Sequence, residues 1–199
     1  MAMDYYAKDD ARMQKLAEMY NDDYDKMDSE IRDNILVAKA YLDPSMVDEF
    51  LKKYQEIADP EIKFDYLGAA AEIRDEEGLS KLMNLLGEND IVKPQDQLYL
   101  FIMLYRNPKT KAATFDWLIK NWETVRRING DKSIDSYPTV LGHLARTETE
   151  YEKFRSLFEP MQDDSALKRA IEIGSNEIKA RLELIKKHKE EVIKTIYNI

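Results

Sequence analysis

The sequence predicts an all-α protein, and three observations support that class. The chain of 199 residues contains only 6 Gly and 6 Pro, which leaves few turn residues for a sheet protein. Residues that favour helices, such as Leu, Lys, Glu, Ala and Met, are abundant. Apolar residues recur at helical spacing along nearly the whole chain, and the breaks between these segments are short. Together these features predict about ten amphipathic helices.

Apolar stripes predict the first two helices. One helix runs from about Ala7 to Asp23. The next begins at Asp28 or Ser29, since either side chain can accept hydrogen bonds from free N–H groups at a helix start. Asp43-Pro44 ends this second helix, because Pro disfavours helical geometry in the residue before it.

Two Asp-Pro dipeptides mark the following helix starts. Asp43-Pro44 and Asp59-Pro60 each precede a segment with apolar residues at helical spacing. Asp caps free N–H groups, and Pro lacks the N–H group that would remain unpaired at that position. We therefore predict a new helix after each dipeptide.

The remaining helices are separated by short polar turns. Asn129-Gly130-Asp131 is a predicted turn within a weakly patterned region from Ile128 to Pro138. The predicted helices on either side of this region are Glu76 to Leu86, one from Pro94 to the Asn107-Pro108 turn, one carrying Phe115, Trp117, Leu118 and Trp122, Tyr137 to Leu144, Glu148 to Phe158, and a closing pair, Ser165 to Lys187 and Glu190 to Tyr197.

Short connections between amphipathic helices are typical of antiparallel helix packing. Such a pattern fits a bundle or a right-handed stack of helix pairs of the HEAT or armadillo kind. Internal repeats are too dissimilar to assign a period. We treat residues 1–199 as a single α-helical domain. The opening residues 1–3 are interpreted either as an expression scar before a segment of a longer protein or as the native start.

Charge and composition exclude several classes of partner. The chain has 39 acidic and 30 basic residues, and its net charge of −9 repels nucleic-acid phosphates and anionic membranes. No apolar run approaches the roughly 18 residues that span a bilayer, and no leader pattern opens the chain. The absence of Cys excludes disulfides and thiolate metal sites. We expect a cytoplasmic protein that binds neither nucleic acid nor membrane.

Motifs for catalysis are absent from the sequence. His143 and His188 are the only histidines, and neither belongs to an HExxH zinc motif. The chain also lacks a Gly-rich phosphate loop, a GxSxG elbow and a Cys nucleophile. We therefore predict no catalytic residue, metal ligand or cofactor in this chain.

Spacing alone assigns structural roles to three cationic residues and to a set of aromatic residues. Arg74, Lys93 and Arg106 lie near predicted helix ends, where a cation can bind free carbonyls or stabilise the helix dipole. The aromatic residues fall at helical spacing and are predicted to form core: Tyr99, Phe101, Tyr105, Phe115, Trp117 and Trp122.

An ordered set of motifs resembles the C-terminal domain of the aminopeptidase N family. Val92-Lys93-Pro94-Gln95-Asp96 presents a β-branched residue, a basic residue and a Gln-acidic pair before a helix. Arg106-Asn107-Pro108 follows as an Asn-Pro turn, and residues 117–122 read W-x-x-x-N-W. Residues 154–158 and the closing helices extend the likeness, which covers most of the chain and is sharpest from Ile91 to Phe158.

The resemblance implies a superhelical stack of antiparallel helices that covers a zinc catalytic domain. In that family the stack lines the cavity that holds the peptide substrate. An Arg before the helix that precedes the Gln-acidic motif binds the peptide's carboxylate, and Arg74 fits that position. The expected substrate-binding residues are Arg74, Lys93 and Arg106. Zinc is expected in the catalytic domain of the parent enzyme, which would be this chain's partner in cis.

Two other functions remain open from the sequence. An independent helical-repeat scaffold would bind a protein or peptide on its concave face. A stand-alone enzyme of a different type would need a catalytic group that none of the known motifs reveals. The favoured interpretation is a non-catalytic domain that caps the catalytic domain of an aminopeptidase.

Overall fold

The computed structural model of the chain describes residues 10–88, 90–131 and 133–197. Within these ranges the protein contains eleven α-helices, three short 3-10 helices and no strand. The all-α class is confirmed, with eleven helices where about ten were predicted. Residues 1–3, interpreted as a scar or a native start, lie outside the described residues.

The chain forms two compact units, residues 1–114 and residues 115–199. The single domain over residues 1–199 stays a prediction. The first unit contains α1 (Asp10–Glu18), α2 (Arg32–Leu42), α3 (Met46–Glu56), α4 (Pro60–Ala70), α5 (Glu76–Met83) and α6 (Gln97–Arg106). Helix α7 (Lys111–Lys120) begins in the first unit and ends in the second. The second unit also contains α8 (Trp122–Asn129), α9 (Ser136–Leu144), α10 (Glu148–Phe158) and α11 (Lys168–Tyr197).

Packed helix pairs form the first unit, as the sequence predicted. α1 packs on α2, α2 and α3 both pack on α4, and α4 also contacts α6. Their shared core contains Phe50 of α3 and Tyr66 of α4, whose rings meet edge to face with centroids 5.4 Å apart. Both side chains are fully buried, which favours tight association of the two helices.

The two Asp-Pro dipeptides behave differently. Asp59 caps α4, because its carboxylate accepts hydrogen bonds from the N–H groups of Glu61 and Ile62. Asp43 instead accepts hydrogen bonds from the N–H and hydroxyl groups of Ser45, and α3 begins only at Met46. Asp43-Pro44 therefore forms a turn before α3 and does not cap it.

A buried polar network precedes α6. Pro94–Asp96 forms a 3-10 helix, and the carboxylate of Asp96, only 2% exposed, accepts hydrogen bonds from Lys63 Nζ and the Tyr54 hydroxyl, each at 2.6 Å. The pairing offsets the cost of burying the Asp96 charge. The Gln-acidic motif thus anchors the start of α6 to α3 and α4.

In the second unit α9 and α10 pack against α11. Trp122 is buried edge to face between Tyr137 and Phe158, with centroid distances of 6.3 Å and 5.1 Å. The predicted core role is confirmed for Trp122 and Phe115, whereas Trp117 is only half-buried. Among the described helices, even the 30-residue α11 has no apolar stretch of the kind that crosses a bilayer.

Two predicted helix boundaries are wrong in this unit. The single helix predicted to contain Phe115 and Trp122 ends at Lys120, because the Asn121 side chain donates to the Trp117 carbonyl and a new helix starts at Trp122. The predicted closing pair is one continuous helix from Lys168 to Tyr197. No Gly or Pro separates the two predicted halves, so nothing in the backbone interrupts the helix.

Candidate functional site

The connection between α4 and α5, residues 71–75, holds one of the predicted binding residues. Ala71 and Ile73 are fully buried, which fixes the connection against the core of the first unit. Glu72 and Arg74 alternate with them and keep side-chain exposures of 18% and 24%. Arg74 is therefore partly exposed between residues that anchor the connection in the core.

Asn107 organises this connection from the end of α6. Its side-chain Nδ2 donates to the carbonyls of Ala71 and Ile73 at 2.9 Å and 3.1 Å. Its Oδ1 accepts from Arg74 Nη1 at 2.9 Å and from the Lys109 N–H at 3.0 Å. The amide is 1% exposed, so all its hydrogen-bonding capacity is used inside the protein.

At least three groups orient the guanidinium of Arg74. Nη1 is held by Asn107, and Nη2 lies 3.6 Å from Glu72 Oε2. The guanidinium carbon lies 5.8 Å from the ring centroid of Tyr41, within cation–π range. A carboxylate that approaches Arg74 meets a pre-oriented guanidinium but competes with Glu72 for Nη2.

Glu72 links Arg74 to a second predicted residue, Arg106. Burial raises the pKa of Glu72, while the positive charges of Arg74 and Arg106 lower it. Arg106 is exposed in the last turn of α6. The cluster therefore combines two cations with one partly desolvated carboxylate and carries a net positive charge.

We expect Glu72→Gln to stabilise the protein above the ordinary Glu pKa of 4.5. Folding raises the pKa of Glu72, so the unfolded chain ionises first and the free energy of unfolding falls as the pH rises through the folded-state pKa. Gln cannot ionise and avoids this loss. Thermal melting should show a higher Tm for the variant near pH 7 and matching Tm values near pH 3.5, where the carboxyl group is protonated in both states. A lower Tm at neutral pH would show that the attraction to the two arginines outweighs the burial.

Lys93 is not part of this cluster. It is exposed and precedes the 3-10 helix Pro94–Asp96, at the opposite end of α6 from Arg106. The ten residues of α6 separate these ends by about 15 Å at 1.5 Å per residue. Arg74 and Arg106 therefore both act on the charge of Glu72, whereas Lys93 lies near the other end of α6.

The described residues do not offer the donor set of a zinc site. No group of three or more His, Asp or Glu side chains in the described ranges is arranged to hold a metal ion. What the Arg74 cluster can do chemically is recognise an anion, by hydrogen bonding and charge. It contains no group positioned as a nucleophile beside a base.

Sequence reasoning missed Asn107 and Glu72 as members of the site. Asn107 appeared only as part of an Asn-Pro turn, although an Asn directly after a helix is a residue that often bonds nearby backbone groups. Three of the four partners of its side chain lie 33 to 36 positions away in the sequence. No local pattern reports such a pairing.

Comparison with known proteins identifies the family. Residues 4–180 match the profile of the ERAP1-like C-terminal domain. The chain belongs to the ERAP1-like C-terminal domain family. The resemblance to the C-terminal domain of the aminopeptidase N family is thereby confirmed over most of the chain.

Relatives of this ERAP1-like C-terminal domain are aminopeptidases. The chain is 32% identical over 155 residues to aminopeptidase N of Lactococcus lactis subsp. lactis (strain IL1403), which covers 77% of this chain and 18% of that protein. It is 26% identical over 174 residues to aminopeptidase N of Lactobacillus helveticus, with coverages of 86% and 21%. Glutamyl aminopeptidase of Sus scrofa is 26% identical over 148 residues, with coverages of 74% and 14%. The chain spans about a fifth or less of the length of these relatives.

Proposed function

We propose that this ERAP1-like C-terminal domain is the non-catalytic part of a cytoplasmic zinc aminopeptidase, where it covers the catalytic domain and lines the cavity for the peptide substrate. The observation that carries the proposal is the family match over residues 4–180, together with relatives named aminopeptidases. The catalytic domain would be its partner in cis, and zinc would be bound there.

Within this function Arg74 would bind the carboxylate of the peptide substrate. Its guanidinium is oriented before any ligand arrives, by Asn107 on one side and Glu72 on the other. Pre-orientation lowers the entropy lost on binding, and a guanidinium matches a carboxylate through two parallel hydrogen bonds. Arg106 would add a second positive charge, because it already interacts with the same Glu72. Lys93 would contact a different part of the peptide.

The size of the native product tests the overall proposal. An antibody against this chain should detect a band several times heavier than 23.4 kDa in a lysate prepared with protease inhibitors. The purified chain should contain no zinc and should not hydrolyse aminoacyl-p-nitroanilides. A single band at 23.4 kDa would contradict the proposal and favour an independent helical scaffold.

We expect Arg74→Gln in the full-length enzyme to raise KM for peptides with a free carboxyl terminus by about tenfold, the usual order for loss of one charge-assisted interaction. Gln retains a donor for Asn107 but carries no positive charge. KM for the same peptides with an amidated C-terminus, and kcat for aminoacyl-p-nitroanilides, should stay at wild-type values. Steady-state kinetics on both substrate series measure this difference.

Two further variants separate recognition from folding. Arg169 is exposed on α11 in the second unit, so Arg169→Gln removes one positive charge without altering any residue of the Arg74 cluster and should leave KM unchanged. Arg74→Lys keeps the charge without the planar fork and should restore part of the affinity. Equal KM increases for free and amidated peptides in Arg74→Gln would refute carboxylate recognition.

A further inference from the structure

The first half of α11 is buried by its neighbours in the second unit. α9 and α10 pack against the helix, and Ile171 and Ile178 are 6% and 0% exposed. Arg181 Nη1 then donates to two carbonyls at the end of α9, those of Gly142 and Ala145, at 2.6 Å and 3.1 Å. This contact places the end of α9 beside the middle of α11.

The second half of α11 continues the same apolar side of the helix. Leu182, Ile185 and Val192 follow Ile178 at intervals of four, three and seven residues, which keeps all four within about 40° of one line along the helix. Leu182 is half-buried, whereas Ile185 and Val192 are 37% and 49% exposed. The distal stripe, formed by Leu182, Ile185 and Val192, thus extends beyond the part of α11 that α9 and α10 bury.

The charged residues around the distal stripe are sorted by sign. Lys189 lies within the stripe, one turn after its middle residue, and Lys186 lies on its flank, about 90° away. Glu183, Glu190 and Glu191 all lie at least about 120° from the stripe. The side of α11 that carries the stripe therefore presents cations and no carboxylate.

The spacing of the stripe suits one helix. Apolar residues that alternate three and four positions apart are the pattern by which two helices pack side by side with interlocking side chains. In such a pair the residues that flank the apolar line of each helix meet across the interface and select the partner by charge. Lys186 and Lys189 therefore favour a helix that carries carboxylates on its flanks.

A second copy of the chain and an anionic membrane fit this surface less well. Two copies that met on the distal stripe would bring Lys186 and Lys189 of each against the same cations of the other. Residues 182–197 contain four Lys and three Glu, so their formal charge, four minus three, is only +1. Segments that bind anionic lipids usually concentrate four to eight cations.

We propose that the distal stripe docks a single amphipathic helix of another protein, whose own apolar stripe is flanked by Asp or Glu. The apolar side chains of that helix would be buried against Leu182, Ile185 and Val192. Its carboxylates would pair with Lys186 and Lys189. The proposal concerns a surface of this chain and does not depend on a role in an aminopeptidase.

Two synthetic peptides of about three heptads test the proposal on the full 199-residue chain. Both carry Leu at the two apolar positions of each heptad, and the flanking positions are Glu in one peptide and Lys in the other. In ¹H–¹⁵N NMR titrations the Glu-flanked peptide should give saturable shifts centred on residues 182–195. We expect the Lys-flanked peptide to bind at least about tenfold more weakly, because its flanks repel Lys186 and Lys189. Equal affinities, or shifts outside α11 alone, would overturn the proposal.

Neighbouring exposed positions provide matched variants. Ile185→Ser removes an exposed side chain from the stripe, so it should keep the wild-type Tm and weaken binding of the Glu-flanked peptide by at least about tenfold. Leu184→Ser is the control, since Leu184 is 60% exposed and lies about 100° away around the helix from Ile185. If both variants bind the peptide equally well, the stripe is not the docking surface.

Charge reversal tests the choice of partner. Lys189→Glu should weaken binding of the Glu-flanked peptide and strengthen binding of the Lys-flanked peptide. Lys187→Glu, on the opposite side of α11, should change neither affinity by as much. The same response in both variants would mean that the peptides sense only the overall charge, which would contradict recognition by the stripe.

The other possible occupants have separate readouts. Analytical ultracentrifugation that detects a dimer of the wild-type chain, abolished in Ile185→Ser, would identify a second copy on the stripe. Tighter binding to phosphatidylserine vesicles than to the Glu-flanked peptide would identify a membrane. Failure of a longer parent protein to bind the peptide that the 199-residue chain binds would show that another part of the parent covers the stripe. Each of these results would overturn docking of a helix from another protein.

Discussion

Replacing Gly142 with Ala is expected to destabilise the second unit by about 2 kcal/mol or more. A Cβ atom at Gly142 would lie 2.5 Å from the Cα atom of Gly174 on the facing helix and 3.3 Å from its carbonyl carbon and oxygen. These are backbone atoms, so no side-chain rotation can relieve the overlap, and α9 and α11 have to move apart. The higher helix propensity of Ala returns only about 1 kcal/mol.

Tryptophan fluorescence measures this effect selectively. Trp117 and Trp122 are the only tryptophans, and both belong to the second unit. Their thermal transition should shift down by roughly 10 °C for a unit of this size. Asn176→Ala, an exposed change on α11 near Gly174, should leave the transition in place. An unchanged transition in Gly142→Ala would mean that the two helices can separate at little cost.

Gly68→Ala gives a contrast within the first unit. Its added Cβ would lie 2.7 Å from the Tyr99 hydroxyl, which is the tip of a side chain and not backbone. Tyr99 can shift, although it would lose its 3.0 Å hydrogen bond to the Phe64 carbonyl. The expected destabilisation is therefore smaller than at Gly142, and circular dichroism can monitor it.

The fold class and most helices were predictable because their signals are local. Helical spacing of apolar residues placed α2 to α6 in order, and Asp59-Pro60 marked a helix start that the structure shows as a side-chain cap. The break at Asn121 was not predictable in the same way, since its neighbours are compatible with a continuous helix. The break coincides with the hydrogen bond from the Asn121 side chain to the Trp117 carbonyl.

The candidate site was only partly predictable. Arg74 and Arg106 were selected from a family resemblance and from helix-end positions, and in the structure the positive charges of both lower the pKa of Glu72. The position of Lys93, at the far end of α6, follows from helix length and was overlooked. The role of Asn107 depends on contacts with residues 71–74, more than thirty positions away, which only the folded chain reveals.

Asn107→Ala is expected to cost about 3 kcal/mol of unfolding free energy, because it leaves buried polar groups without partners. The carbonyls of Ala71 and Ile73 lose their donor, and Arg74 Nη1 and the Lys109 N–H lose their acceptor. The partly exposed Arg74 can recover a hydrogen bond from water, whereas the carbonyls beside two fully buried side chains cannot do so easily. Urea denaturation followed by circular dichroism measures the loss.

Asn107→Asp separates the two halves of this interaction. Asp retains the acceptor for Arg74 and Lys109 but has no N–H group for the two carbonyls, so its oxygen would face them unfavourably. We expect its stability to lie between those of wild type and Asn107→Ala. Amide hydrogen exchange should then be faster across residues 71–75 in both variants, because the backbone anchor is lost in each. If exchange there stays at the wild-type rate in Asn107→Ala, the connection is held by the burial of Ala71 and Ile73, and the fixed position of Arg74 does not depend on Asn107.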